Sequence, residues 1–141
     1  MSERSLRSLH PKAQRAAREF LSRILDAGIP ARIISGTRTY AEQDALFRKG
    51  RYGNRPPKVT NARGGQSNHN FGIAWDIGIF TGGTYLGESA LYDEAAAAGK
   101  APGIEWGGDW TSFVDRPHYQ LSTGSQLSVV RESFEAGASF V

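Results

Sequence analysis

The chain has no cysteine among its 141 residues. Disulfides and thiolate metal sites are therefore excluded, and any bound metal has to be held by imidazole and oxygen. A fold without thiols carries no redox dependence and is compatible with the cytoplasm or with the space outside it. Also missing is any run approaching the roughly 20 apolar residues that a membrane-spanning helix needs, so no stable membrane insertion is expected. Arg4 and Arg7 resemble the charged start of a signal peptide, but Lys12, Arg15, Arg18 and Glu19 occupy the region where its apolar core would lie. The expectation is a protein made in the cytoplasm, whose access to any outside substrate depends on something else. Histidine is scarce as well: the chain has only three, so two of them in motif-like settings carry information.

What is present describes an ordinary globule, with 39% hydrophobic and 22% charged residues and no linker or repeat that would divide it. The length fits one domain over residues 1–141, large enough to bury roughly two-thirds of its unfolded surface. The net charge of +3 suits an anionic partner such as a cell wall, a membrane surface or nucleic acid, and equally a protein with none. The arginines of the N-terminal face and of residues 51–63 lack interleaved aromatics apart from Tyr52. A stacking platform is thus absent and no nucleic-acid partner is expected.

Leu6, Leu9, Ala13, Ala17, Phe20, Ile24 and their neighbours recur at three- and four-residue steps, which predicts an amphipathic helix over residues 6–27. Pro11 belongs in a first turn and moves the start to about His10; Gly28 and Pro30 end the helix. Residues 31–35 read as a strand. Thr39 and Glu42 form a capping box for a helix running to about Lys49. Residues 51–66 are a long loop of Gly, Pro, Asn and Arg, read as a wall or lid. Residues 71–80 read as a buried strand, with Phe71, Ile73, Trp75, Ile77 and Ile79 on one face and Gly72, Ala74, Asp76 and Gly78 on the other. A glycine-rich turn over 81–87, a helix over 88–98, strands over 103–106 and 117–121, and a last helix capped by Ser125 and burying Leu127, Val130 and Phe134 complete the chain. Helices and short strands alternate without the rhythm of a parallel sheet, so the class is α+β.

The chemistry concentrates in two segments. An Asp inside an apolar strand has to be paired, and Asp76 has two imidazole candidates in His69 and His118. A strand over 117–121 puts His118 and Gln120 on one face, where His118 and Asp76 can meet at a point that His69 enters from the preceding loop. One oxygen and two nitrogens resemble an open catalytic zinc site. Spacing alone leaves a second reading, a buried Asp–His ion pair with His69 merely nearby. His10, near a helix start and far from these segments, is expected to have no role.

Ser67, His69, Gly72, Ala74 and Asp76 fit the pattern S-x-H-x-x-G-x-A-x-D of zinc-dependent D-alanyl-D-alanine carboxypeptidases and their relatives. Trp106-Gly107-Gly108-Asp109-Trp110 and Asp115-Arg116-Pro117-His118-Tyr119 resemble the closing motif of the phage endolysin branch of this M15 peptidase family. Segments within 35–62 are similar to it too. The resemblance covers roughly residues 30–121.

It implies a small antiparallel sheet flanked by helices (Hedgehog/DD-peptidase-like), zinc as cofactor, and His69, Asp76 and His118 as its ligands. Asp115 takes the place of the acidic general base. Because residues three apart in an extended strand face opposite ways, Asp115 and His118 can share a site only across a turn or bulge at 116–117; otherwise Asp115 is a loop carboxylate paired with Arg116 or Arg38. Arg38 is a candidate for stabilising an oxyanion or holding a substrate carboxylate. Ser67 and Gln43 are read as hydrogen-bonding support, Trp106 and Trp110 as candidates for the cleft wall or for packing, and Asp109 as an acceptor orienting a ligand histidine.

The implied activity is a zinc endopeptidase cutting peptidoglycan stem peptides, at the L-alanyl-D-glutamate bond, by attack of a metal-bound water. The implied setting is phage or prophage lysis, with a monomer released from the host cytoplasm onto the wall or periplasm by membrane permeabilisation, and without a separate wall-binding domain. The alternatives are a D,D- or L,D-carboxypeptidase of wall maturation and a non-catalytic zinc-bound wall-binding module; an intact acid at Asp115 argues against the second.

Overall fold

The strand β2 (Ala74–Thr81) organises the molecule, and its alternation decides which side of the sheet is core. Trp75, Ile77 and Ile79 are fully buried on one face, whereas Asp76 and Gly78 face the other way. The computed structural model describes residues 2–53 and 57–141. Along one edge of β2 runs β1 (Ala31–Ser35), antiparallel, with Ala31 opposite Ile79 and Ser35 opposite Asp76. The other edge is shared by two strands. β5 (His118–Leu121) pairs with the first half of β2, and β3 (Thr84–Leu86) pairs with the second. β4 (Ile104–Trp106) continues the sheet beyond β5, and every pairing is antiparallel.

The expected glycine-rich turn over 81–87 is in fact a hairpin. Gly82 and Gly83 have φ of +57° and +80°, the two left-handed positions that a two-residue connection matching strand twist requires. A strand of three residues is too short to register as a pattern, which is why β3 reads as turn.

The core face is covered by α2 (Pro11–Asp26) and α4 (Leu91–Gly99). Ala13, Ala17, Phe20 and Ile24 form the buried stripe of α2. Phe20 meets Trp75 edge-on at 5.8 Å and Tyr119 at 4.2 Å, and burying its ring contributes about 2 kcal/mol. The last residue of α4 is glycine because a Cβ there would stand 2.6 Å from the Phe20 ring. Arg23 donates to the Gly99 carbonyl at 2.6 and 3.1 Å and so joins the two helices.

The N-terminal helix expected over 6–27 is split into α1 (Ser2–Arg7) and α2. His10 is the N-cap of α2: its Nδ1 accepts the Lys12 N–H at 3.2 Å, and Pro11 at the first helical position has no N–H to leave unpaired. The His10 N–H donates to the Gly72 carbonyl at 2.8 Å. His10 is therefore not remote from the motif. It pins the backbone of the segment that carries His69, although its own ring takes no part in the site.

α3 (Tyr40–Arg48) opens with the expected capping box, Glu42 N–H to Thr39 Oγ1 at 3.1 Å and Thr39 N–H to Glu42 Oε1 at 2.8 Å. Residues 68–71 form a 3-10 turn rather than the start of a strand, ended by Gly72 at φ +75°, so the strand begins only at Ala74. Phe71 and Ile73 instead build a small second core with Val130 of α5 (Leu127–Glu135). Gln126, not Ser125, precedes that helix and makes no side-chain cap; the Ser125 N–H is taken by Thr123 Oγ1. Of the three residues expected to be buried by α5, only Val130 is, and Phe134 remains 40% exposed. Among the described residues no helix is long and apolar enough to cross a membrane.

Candidate metal centre

Cross-strand pairing builds the centre. Asp76 on β2 lies directly opposite His118 on β5, so their side chains leave the same face of the sheet as neighbours. His69 comes from the 3-10 turn before β2. Ser67 caps that turn, accepting the His69 N–H at 3.3 Å, while Asn70 Oδ1 accepts the Ser67 N–H in return. Asp76 Oδ1 stands 3.3 Å from His69 Nε2 and 3.2 Å from His118 Nδ1, and one donor atom from each residue lies within 4.8 Å of the others. Asp76 Oδ2 faces away and accepts from Arg38 at 3.2 Å.

The outer edges of both imidazoles are occupied. His69 Nδ1 is 2.8 Å from the Gly36 carbonyl, and His118 Nε2 is 2.7 Å from Gln120 Oε1. Gln120 Nε2 in turn donates to Glu105 at 3.0 Å. Acceptors on the outside place the ring protons there and leave the inner nitrogen lone pairs pointing at one spot. This donor chemistry fits a cation. A tetrahedral site with bonds of about 2.0–2.2 Å holds its donors roughly 3.3–3.6 Å apart, close to the separations around Asp76. An ion pair alone would require protons on the inner nitrogens of two adjacent rings.

Without a cation, charge on the rings couples them strongly to the carboxylate. Burial works to raise the Asp76 pKa, but the charge of His69 and the hydrogen bonds and charges of both imidazoles hold it far below the ordinary carboxylate range. For His118, burial disfavours the charged ring, and the hydrogen bond and charge of Asp76, with Gln120 and Asp115, outweigh it and raise the pKa above 6.5. Asp115 is pushed up by burial and by the neighbouring Asp76 charge, partly offset by His118, His69 and Arg38.

Asp115 reaches the site because the chain turns. The His118 N–H donates to the Asp115 carbonyl at 3.2 Å, closing the turn expected at Arg116–Pro117, and the Asp115 N–H donates to Gly107 at 2.9 Å. Position 107 has to be glycine, since a Cβ there would collide with the Asp115 carbonyl and stand 3.1 Å from the His118 Cβ. Neither arginine weighed as a partner for Asp115 is paired with it: Arg116 pairs with Asp93 and Arg38 with Asp76.

A cleft of about 740 Å³ opens over this centre and is lined by His69, Asp76, Asp115, His118 and Arg38 together with parts of the 59–68 segment. The long loop is thus a wall of the site through residues 59–62 and 66; its residues 54–56 lie outside the described ones. Arg38 is bound on three sides, to Asp76, to Ser35 at 3.2 Å and to Gln43 at 3.2 Å. Gln43 is fully buried and anchors this guanidinium to the loop through the Ala62 carbonyl at 2.9 Å.

Of the two places open to Trp106, it takes packing and not the cleft wall: its Nε1 donates to the Arg116 carbonyl at 2.7 Å and its ring stacks along Tyr119. Asp109 orients no histidine, being paired with Lys100 at 2.6 Å on the surface. The tryptophan at the cleft is Trp110, 5.0 Å from the His118 ring. Gln120 and Glu105, the groups behind His118, are not evident as such from sequence. The alternation in β5 already put Gln120 beside His118, but only the β4–β5 register, with Glu105 opposite Gln120, brings in the carboxylate.

A family profile described as D-alanyl-D-alanine carboxypeptidase matches residues 60–121, the stretch holding His69, Asp76, Asp115 and His118. The chain is 34% identical over 123 residues to the peptidoglycan L-alanyl-D-glutamate endopeptidase CwlK of Bacillus subtilis, covering 80% of this chain and 73% of that protein. It is 30% identical over 121 residues to the L-alanyl-D-glutamate peptidase of Listeria phage A118, covering 84% of this chain and 40% of the phage protein. Among solved structures, the Serratia marcescens L-Ala D-Glu endopeptidase ChiX superposes with a TM-score of 0.67 at 29% identity, over 87% of each chain. With the expected antiparallel α+β fold in place and the matched stretch carrying the site, this chain belongs to the D-alanyl-D-alanine carboxypeptidase-like M15 peptidases.

Proposed function

We propose that the protein is a zinc endopeptidase that hydrolyses the L-alanyl-D-glutamate bond of peptidoglycan stems, through one catalytic domain spanning residues 1–141, in wall lysis. The observation that carries this reading is the convergence of His69 Nε2, Asp76 Oδ1 and His118 Nδ1 on one spot in a cleft that Asp115 also lines. The kinship with L-alanyl-D-glutamate endopeptidases supplies the choice of bond.

Zinc held there supplies a Lewis acid for the scissile carbonyl and lowers the pKa of water from about 15.7 towards about 7. The protein's own groups do the rest. Asp115 accepts a proton from the attacking water on its carboxylate and returns it to the departing amine of D-glutamate as the C–N bond breaks. The products are an L-alanine carboxylate on the glycan side and a free D-glutamate amine. Arg38 acts as a positioning residue: by holding Asp76 Oδ2 it leaves only Oδ1 for the metal. Gln120 and the Gly36 carbonyl keep each imidazole in the tautomer that binds.

Digestion of purified sacculi followed by mass spectrometry tests the bond assignment. The expected products are stems beginning at D-glutamate and glycan strands that retain L-alanine. Removal of a terminal D-alanine alone would instead make the enzyme a carboxypeptidase.

The site also links metal, protons and stability. The raised pKa of His118 in the metal-free fold is a stabilising contribution fully present below its unfolded value near 6.5 and lost as pH rises through the folded value. The metal-free protein should therefore lose melting temperature as pH is raised above 6.5, while the zinc-loaded protein should not. Zinc uptake near that pH should release roughly one proton, because a ligand imidazole has to be neutral. Calorimetric titration in buffers of different ionisation enthalpy measures it; uptake with no proton release would contradict the ligand assignment of His118.

A further inference from the structure

Beside the metal centre the cleft carries exposed aromatic surface that neither metal nor proton transfer uses. Tyr85 is opposite Phe80 in the β2–β3 hairpin and so shares the face of Gly78 and Asp76. Its ring lies over Gly78, where a Cβ would meet it at 3.2 Å, two residues along the strand from Asp76 and thus roughly 7 Å away. Tyr85 is 50% exposed and Phe113, on the loop before Asp115, is 55% exposed; both line the cleft. Thr60, Asn61, Gln66 and Asn68, from the segment before the metal-site turn, also line the cleft and offer a hydroxyl and amides instead.

We propose that Tyr85 and Phe113 form a platform for the muramyl sugar that bears the stem peptide, so that glycan-linked stems are preferred over free peptides. The inference rests on the endopeptidase reading above. In a stem the L-alanine nitrogen is acylated by the lactyl group of the sugar, which places the pyranose one residue and one short linker from the scissile carbonyl. That separation is on the order of 7–10 Å, comparable with the distance from Asp76 to the Tyr85 platform. A pyranose presents an apolar C–H face and a polar rim, which suits exposed rings that also meet water. The amide-bearing residues suit the peptide that continues past D-glutamate.

The test compares a disaccharide-linked stem with the same stem carrying only an N-lactoyl group. For the wild-type enzyme kcat/KM should be roughly tenfold higher on the disaccharide-linked stem. Tyr85→Ala and Phe113→Ala should each bring that ratio towards one, and Phe113→Trp should keep it. Cleavage of both stems between L-alanine and D-glutamate with no wild-type preference would overturn the platform and leave the endopeptidase reading standing. Failure to cut that bond in either stem would overturn both. If sedimentation instead found a dimer that Phe113→Ala dissociates, the rings would belong to a contact between copies and the platform would be refuted.

Discussion

His118→Ala is expected to empty the metal site and to lower hydrolysis of sacculi by roughly four orders of magnitude or more. The size follows from what is lost: without the metal, the attacking water returns from a pKa of about 7 to about 15.7, and no other group beside the carbonyl replaces a Lewis acid. Three protein ligands are the usual complement of a catalytic zinc, and two do not hold it against competition from water and buffer. The variant also leaves Asp76 with fewer partners. Its Oδ1 loses the imidazole at 3.2 Å and keeps His69 at 3.3 Å, while Arg38 remains on Oδ2 at 3.2 Å. The fold should thus persist, less stable but intact, and circular dichroism can verify this before zinc is measured by atomic emission. Stoichiometric zinc at wild-type affinity in this variant would remove His118 from the ligand set.

Asp115→Asn is the complementary experiment. It should lower kcat by about 10²–10⁴-fold, the range for a positioned acid–base group, while zinc stays bound. The amide keeps the shape of the carboxyl, and the backbone of residue 115, which bonds Gly107 and His118, is untouched. Asp115→Glu should recover part of the rate. Should Asp115→Asn hydrolyse stems within a few-fold of the wild type, proton transfer has to be assigned to another group. Together the two variants separate loss of metal from loss of the proton carrier.

The parts of this site that sequence made legible are those fixed by short-range rules. Alternation along β2 put Trp75, Ile77 and Ile79 in the core and Asp76 opposite them, and Thr39 and Glu42 announced a helix start by their spacing alone. The turn that lets Asp115 and His118 share a site followed from a conflict of strand parity. What stayed hidden depends on contacts between distant segments. Nothing local distinguishes Trp106 from Trp110: the first is claimed by the Arg116 carbonyl and the Tyr119 ring, the second by the cleft. Asp109 is drawn off by Lys100, nine residues away in sequence, and Glu105 enters only through its place in the β4–β5 ladder. His10 looked isolated because its bond to Gly72 joins residues 62 positions apart. The threefold hold on Arg38 was equally hidden, because Asp76, Ser35 and Gln43 assemble around it only in the fold.

The two-faced character of β2 limits how the gene can vary. Inserting or deleting a single codon at the start of 74–81 would exchange the faces of the strand that follows, sending an aspartate into the helices and an indole into the cleft, so fold and chemistry would fail in one step. At Gly82–Gly83, where nothing within 4 Å faces either position, length changes would only reshape the tip of a hairpin. Natural length variation, and any loop grafted by design, should therefore accumulate at that tip and stop abruptly at Thr81.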